Sequence, residues 1–211
     1  MSDYVFRGVT QTRGGEALQA DVHWRSDAGW LAGAWGSTVD PNAGAGPTTE
    51  VNLYAGAVRE LSDDWVARVL AIHYAYPNDT TPFRWDYDEL AASLAFRDRL
   101  AATVAWSPNY SSYGAGQFVA DRQTISYELS AQLPFRHRWL ASAGAGYQDL
   151  DNLFGTGFVF WNCALTYNSA PWQLTLARFG TSDPATDLYG SEATHDRWSL
   201  GVQWQFGGVA R

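Results

Sequence analysis

The chain of 211 residues contains no lysine and only one cysteine. All 14 basic residues are therefore arginine, and the formal net charge of −8 argues against a nucleic-acid-binding domain, which carries a basic face. Cys163 alone cannot form an internal disulfide. No stretch approaches the roughly 18 apolar residues of a membrane-spanning helix. A membrane β-barrel is compatible with this composition, because its strands expose only alternate residues to lipid.

Alternation of apolar and polar residues is the main feature that the sequence does have. In residues 17–26, apolar side chains alternate with Gln19, Asp21, His23 and Arg25. Successive side chains of a strand point to opposite faces, so such a segment has one apolar and one polar face. The pattern predicts twelve strands, at residues 3–10, 17–26, 29–36, 50–60, 65–76, 85–96, 100–107, 122–133, 139–147, 158–167, 172–179 and 197–206.

Short and long connections alternate between the predicted strands. Short ones such as 26–29 are followed by long ones such as 108–121 and 180–196. Outer-membrane barrels show this asymmetry, with short periplasmic turns and long external loops. We therefore predict an all-β fold, a transmembrane antiparallel up-and-down β-barrel of twelve strands, with ten or eight as the alternatives. Residues 1–211 would form one domain, with 207–211 as a short C-terminal tail.

Tryptophan and tyrosine cluster at the ends of the apolar stripes. Aromatic rings with a polar group favour the level of the lipid headgroups and form two girdles around a membrane barrel. The alternatives are core tryptophans of a soluble sandwich and sugar-stacking tryptophans of a lectin. The loop asymmetry favours the membrane barrel. The predicted girdle residues are Trp24, Trp30, Trp65, Trp85, Trp106, Trp139, Tyr147, Tyr167, Trp172 and Trp198.

The N-terminal residues carry a family resemblance. The stretch SDYVFRGVTQT at 2–12, followed by ALQ and GAWGS further on, resembles the proteobacterial TorF-like porin family. The resemblance implies an outer-membrane location and a porin role, and it assigns no substrate or functional residue. In this motif we expect Arg7 to point inward from the first strand, with Tyr4 and Phe6 outward. A structural role, such as closing the barrel against the last strand, is favoured over a ligand role.

The polar faces of the predicted strands define the candidate lumen. This interior mixes both signs of charge, and buried charges must be paired or hydrated. The predicted luminal residues are Arg7, Gln19, Asp21, His23, Arg25, Asn52, Glu89, Thr103, Glu128, Gln132, Asn162, Thr175, Arg197, Gln203 and Gln205.

Two functions fit such an interior. The first is a porin that passively admits small polar solutes or ions through a narrow lumen. The second is a closed barrel, cross-linked by arginine–carboxylate pairs, that acts through its long acidic external loops. Barrels of about 8 strands are filled by side chains, and barrels of 16–18 strands leave a channel. A barrel of twelve strands therefore permits either function.

The expected surroundings are those of a bacterial outer membrane. We expect outer-membrane lipid and lipopolysaccharide as partners, small polar solutes or ions as cargo, and no cofactor. No signal peptide precedes the first predicted strand, so we expect one to have been removed from the mature protein.

A lipid hydrolase at the barrel rim is the remaining hypothesis. Ser191, His195 and Asp196 lie in the last long loop. A nucleophilic serine needs a nearby base, but the chain has no Gly-x-Ser-x-Gly motif. The four histidines fall in four different elements and show no metal-ligand spacing. The sequence therefore predicts neither an enzyme nor a metal site.

Overall fold

The computed structural model describes residues 1–40 and 46–206; the predicted tail at 207–211 lies outside the described part. Among the described residues, no helix is long and apolar enough to cross a membrane. The elements in chain order are β1 Val5–Phe6, β2 Val9–Thr10, β3 Gln19–Arg25, β4 Trp30–Thr38, β5 Thr49–Glu60, β6 Trp65–Ala75, β7 Tyr87–Phe96, β8 Leu100–Gly114, β9 Gln117–Arg136, β10 Trp139–Leu150, α1 Asp151–Phe154, β11 Thr156–Ser169, β12 Trp172–Thr181, α2 Asp183–Tyr189, α3 Ser191–Thr194 and β13 Arg197–Trp204.

Strands β3 to β13 form the wall of the barrel. They make one antiparallel sheet in which each strand pairs with its neighbours in the sequence, as the up-and-down prediction required. Among the described residues the wall has eleven strands, where twelve were predicted with ten or eight as the alternatives. We call the end that carries the short β3–β4, β5–β6, β7–β8, β9–β10 and β11–β12 turns the lower end, and the opposite end the upper end.

The first predicted strand, at 3–10, is not part of the wall. It folds back on itself as the small hairpin of β1 and β2. Arg7 and Gly8 form its turn with positive φ angles of 48° and 81°. Two-residue hairpin turns of type I′ need positive φ at both central positions, and glycine adopts it without steric cost. We call residues 3–12 the luminal hairpin.

The loop predicted at 108–121 is wrong as well, because β8 and β9 continue through most of it as a paired hairpin. The register shifts between Ser107 and Tyr110, and Pro108 lies in this irregularity. Proline is tolerated in a sheet at such bulges, since it has no N–H for the ladder. A proline that normally interrupts a strand here marks only a bulge.

Met1 and Ser2 bridge the two edge strands of the wall. Met1 exchanges hydrogen bonds of 2.7 and 2.8 Å with the backbone of Ala17, just before β3. The Ser2 N–H donates to the carbonyl of Leu200 in β13, and the Leu200 N–H donates to Ser2 Oγ, each over 2.8 Å. Within the described ranges, no ladder pairs β3 with β13 directly. The wall therefore closes through the N-terminal residues against the last strand.

The outer face of the wall is apolar, as contact with lipid requires. Leu129 and Val202, in β9 and β13, are 61% and 57% exposed. Exposed aromatic side chains lie towards both ends, as predicted for girdles. They are Trp24, Trp30, Trp65, Trp139, Trp172 and Trp204 at the lower end, with Trp106, Tyr127, Tyr147 and Trp198 at the upper end.

Trp85 is an exception among the predicted girdle residues. It precedes β7, is only 9% exposed, and packs edge-on against Phe118 with ring centroids 5.1 Å apart. Trp85 lines an internal cavity instead of the lipid-facing surface.

Candidate functional site

The strand register sorts the polar side chains onto the inner face of the wall. Glu128 shows the pattern, because it pairs with Thr103 of β8 while its exposed neighbours Tyr127 and Leu129 face outward. The predicted luminal residues that occupy this inner face are Gln19, Asp21, His23, Arg25, Asn52, Glu89, Thr103, Glu128, Gln132, Asn162, Thr175, Arg197 and Gln203.

The luminal hairpin fills the upper half of the barrel. The tip of the hairpin abuts β11 and β12 so closely that a Cβ on Gly8 would lie 2.5 Å from Thr181 Cγ2. Tyr4, just before β1, lies next to β4, where its ring packs on Trp35 with centroids 5.3 Å apart. The expectation that Tyr4 and Phe6 face outward is therefore wrong, because the segment lies inside the lumen.

Two buried ion pairs hold the luminal hairpin to opposite sides of the wall. Arg7 reaches Glu89 of β7 over 2.7 Å, and Arg197 of β13 reaches Asp3 over 2.8 Å. The side chains of the second pair are only 6% and 4% exposed. Buried charges need such partners, because an unpaired charge loses its hydration without compensation. Asp3 also accepts a hydrogen bond of 2.8 Å from Thr12 Oγ1.

A small cavity of about 230 Å³ lies on one side of the hairpin. It brings together five of the predicted luminal residues, Arg7, Glu89, Thr103, Glu128 and Asn162. Only the Arg7–Glu89 pair joins them by an ion pair. This part of the lumen therefore has polar walls of both signs.

The remaining predicted residues occupy other parts of the lumen. Asp21 contacts His23 over 2.6 Å and accepts a 2.8 Å hydrogen bond from the hydroxyl of Tyr54. Towards the lower end, Arg25 and Gln203 are exposed, so this half of the lumen is open to water. The structure thus disperses the predicted residues around the wall instead of forming one cluster.

A larger cavity of about 1090 Å³ opens on the other side of the hairpin. We call it the outer vestibule; the hairpin, the upper ends of the strands and helix α2 surround it. Its walls are rich in aromatic side chains, which are Phe6, Tyr76, Phe83, Trp85, Tyr87, Tyr110, Tyr113, Phe158 and Tyr189.

Several of these rings contact one another or a ring just behind them. Tyr87 stacks on Tyr74 with centroids 4.3 Å apart and meets Tyr110 edge-on at 4.8 Å. The hydroxyl oxygen of Tyr189, at the end of α2, lies 3.4 Å from Ser112 Oγ. Burial raises the pKa of the Tyr189 hydroxyl, so it remains protonated and able to donate.

The vestibule was not predicted from the sequence. Tyr74 shares its face with Ile72 and Leu70, so β6 has apolar and aromatic side chains on its luminal side. The available signal was this reversed alternation, together with the Arg7-Gly8 pair that is typical of a tight turn. Glu50, at the start of the strand predicted at 50–60, is only 2% exposed and accepts a hydrogen bond from Asn52.

The residues proposed for a hydrolase do not form a catalytic pair. His195 Nδ1 lies 2.9 Å from the backbone carbonyl of Ser191 and not next to its hydroxyl. In the described part of the chain, no group of three or more His, Cys, Asp or Glu side chains could hold a metal ion.

Fold and site together define a membrane β-barrel whose lumen contains its own N-terminal hairpin. The chain belongs to the Gcw_chp family, described as bacterial protein of unknown function, whose profile matches residues 1–206. A comparison with curated protein sequences finds no match.

Two solved structures share the fold. One is a NanC porin in a rhombohedral crystal form, with a TM-score of 0.65, 11% identity, and coverage of 90% of this chain and 93% of that chain. The other is the KdgM porin in complex with disordered oligogalacturonate, with a TM-score of 0.56, 11% identity, and coverage of 90% and 92%. At this identity the similarity concerns the fold.

Proposed function

We propose that the protein is a porin of the bacterial outer membrane that passively admits small polar solutes or ions. The observation that carries this proposal is the lumen itself, which carries polar side chains of both charge signs and has a cavity on each side of the hairpin. The fold shared with two proteins named porins supports it, as does the TorF-like resemblance of the N-terminal motif. Outer-membrane lipid and lipopolysaccharide would surround the barrel, and the role is not catalytic.

The hairpin would set the width and selectivity of the passage. Charged side chains that line a narrow pore select ions by their sign. Arg7, Glu89 and Glu128 surround the cavity of about 230 Å³, so ions passing the hairpin would meet these groups. The long acidic connections at the upper end would favour cations at low salt.

A closed barrel is the second candidate, and one observation favours it. The Arg7–Glu89 and Arg197–Asp3 pairs cross-link the interior through the hairpin. If these pairs never open, the barrel would not conduct and would act through its external connections. Only the porin would conduct, so conductance is the quantity to measure.

Single-channel current in a planar bilayer across a salt gradient tests the proposal. We expect discrete steps from the refolded wild type and larger or more frequent steps from Arg7→Gln/Glu89→Gln. This double variant removes both charges, so no unpaired charge is left buried. The matched control is Arg97→Gln/Asp64→Asn, which removes an exposed ion pair at the lower turns. Silence from folded wild type and from the Arg7→Gln/Glu89→Gln variant would establish the closed barrel.

A further inference from the structure

We propose that the outer vestibule binds a small uncharged polyhydroxylated solute of the size of a disaccharide, which is the cargo of the channel. This inference rests on the proposed function, because it identifies the solute class that the same lumen would admit. The cavity of about 1090 Å³ is large enough, since small-molecule sites typically measure about 300–1,000 Å³.

Unpartnered polar groups in the vestibule point to a ligand. Gln148 of β10 is 2% exposed and lines the cavity, yet neither its amide oxygen nor its amide nitrogen has a hydrogen-bond partner among the described residues. Ser111 Oγ lines the same cavity, is buried, and has no hydrogen-bond partner within the described ranges either. Leaving a buried donor or acceptor unsatisfied is costly, so such groups normally meet a partner. An amide offers donors and an acceptor side by side, which suits neighbouring hydroxyl groups.

The aromatic walls define the rest of the ligand. A pyranose ring has a face of C–H groups and a rim of hydroxyls, so it can lie on an aromatic ring while its hydroxyls meet polar side chains. The rings of Phe83 and Tyr113 are 40% and 41% exposed and accessible at the vestibule wall. Ligand sites generally combine such apolar surfaces with a few polar groups that fix orientation.

The charges in the vestibule argue against an acidic ligand. Both arginines that line it already have carboxylate partners, Arg7 with Glu89 and Arg13 with Glu192, each at 2.7 Å. Asp187 also lines the cavity and would repel a carboxylate. The vestibule therefore suits a neutral saccharide better than an oligogalacturonate, the polyanion bound to the KdgM porin.

Isothermal titration calorimetry in detergent tests this inference. The probes are three neutral disaccharides (maltose, cellobiose and sucrose) and the acidic digalacturonate. We expect at least one neutral disaccharide to bind, digalacturonate to bind more weakly, and Gln148→Ala to weaken the neutral ligand by about tenfold, the loss of one or two hydrogen bonds. Gln132→Ala is the control, because Gln132 is an exposed luminal glutamine outside the vestibule.

A second pair of variants covers the case in which Gln148→Ala fails to fold. Tyr113→Ala should weaken the neutral ligand, whereas Tyr127→Ala, an exposed tyrosine of the outer girdle, should not. Binding of none of the neutral disaccharides, tighter binding of digalacturonate, or equal losses in test and control variants would overturn the inference. A conducting channel without saccharide binding would refute only this inference, whereas binding without conductance would refute the proposed porin and the role of the saccharide as cargo, and would leave only the binding site.

Discussion

The upper and lower halves of the lumen have the same sequence pattern but different environments. In the upper half, Glu50, Glu89 and Gln148 are almost completely buried, whereas in the lower half Arg25 and Gln132 are exposed. Both sets follow from the same alternation of polar and apolar residues along the strands. The difference arises because the luminal hairpin fills only the upper half. Strand alternation therefore decides which face a side chain occupies, and an element that packs in the lumen decides whether it meets water.

Breaking a charge pair in the filled half should have the largest effect. We expect Asp3→Ala to lower the free energy of unfolding by about 3–5 kcal/mol, because it leaves the buried Arg197 without its carboxylate. Denaturant titration of the barrel in lipid vesicles measures this. A loss below about 1 kcal/mol, the level of a surface pair, would mean that water reaches the upper half as freely as the lower.

A charge on the outer face should have the next largest effect. Leu129→Arg should cost about 2–4 kcal/mol if the site lies near the bilayer midplane, since it exposes a guanidinium to lipid. The neighbouring Ser130→Arg is the control, because Ser130 lies on the luminal face beside Gly144. Folding into lipid vesicles should separate the two variants clearly. Equal losses would contradict the assignment of the two faces.

Removal of an exposed charge pair at the lower end should have the smallest effect. Arg97 contacts Asp64 over 2.8 Å between the lower turns, and the side chains are 61% and 43% exposed. We expect Arg97→Ala to change the free energy of unfolding by about 0–1 kcal/mol, because solvent screens such pairs. The same denaturant titration in lipid vesicles measures it. If the change matched that of Asp3→Ala, burial would not be what distinguishes the two halves.

Much of the wall could be predicted from the sequence, because the alternation that defines each strand lies within a few consecutive residues. The alternation in β9 or β13 fixes strand and face within a few residues, and the next strand supplies the partner. The luminal hairpin depends on contacts that no local pattern contains. Arg7 meets a residue 82 positions away and Asp3 one 194 positions away. As a segment of ten residues, 3–12 resembles a wall strand of ordinary length. Only the turn at Arg7-Gly8 distinguishes a hairpin from such a strand.

The candidate site could be predicted only in part. Alternation identified polar side chains on the luminal face, but the vestibule required knowledge of what faces the hairpin from the opposite wall. Gln148 appears in the sequence as a polar residue at the end of a strand. Its burial follows from the extension of β10 and β11 above the predicted strand ends, from the covering helices and from the hairpin.

The bridge that Met1 and Ser2 form between β3 and β13 couples the closing of the wall to the filling of its interior. The chain that completes the seam continues directly into the hairpin, and it returns to the wall through Ala17. The hairpin is therefore attached to the wall at both of its ends. It cannot leave the lumen unless the seam itself opens.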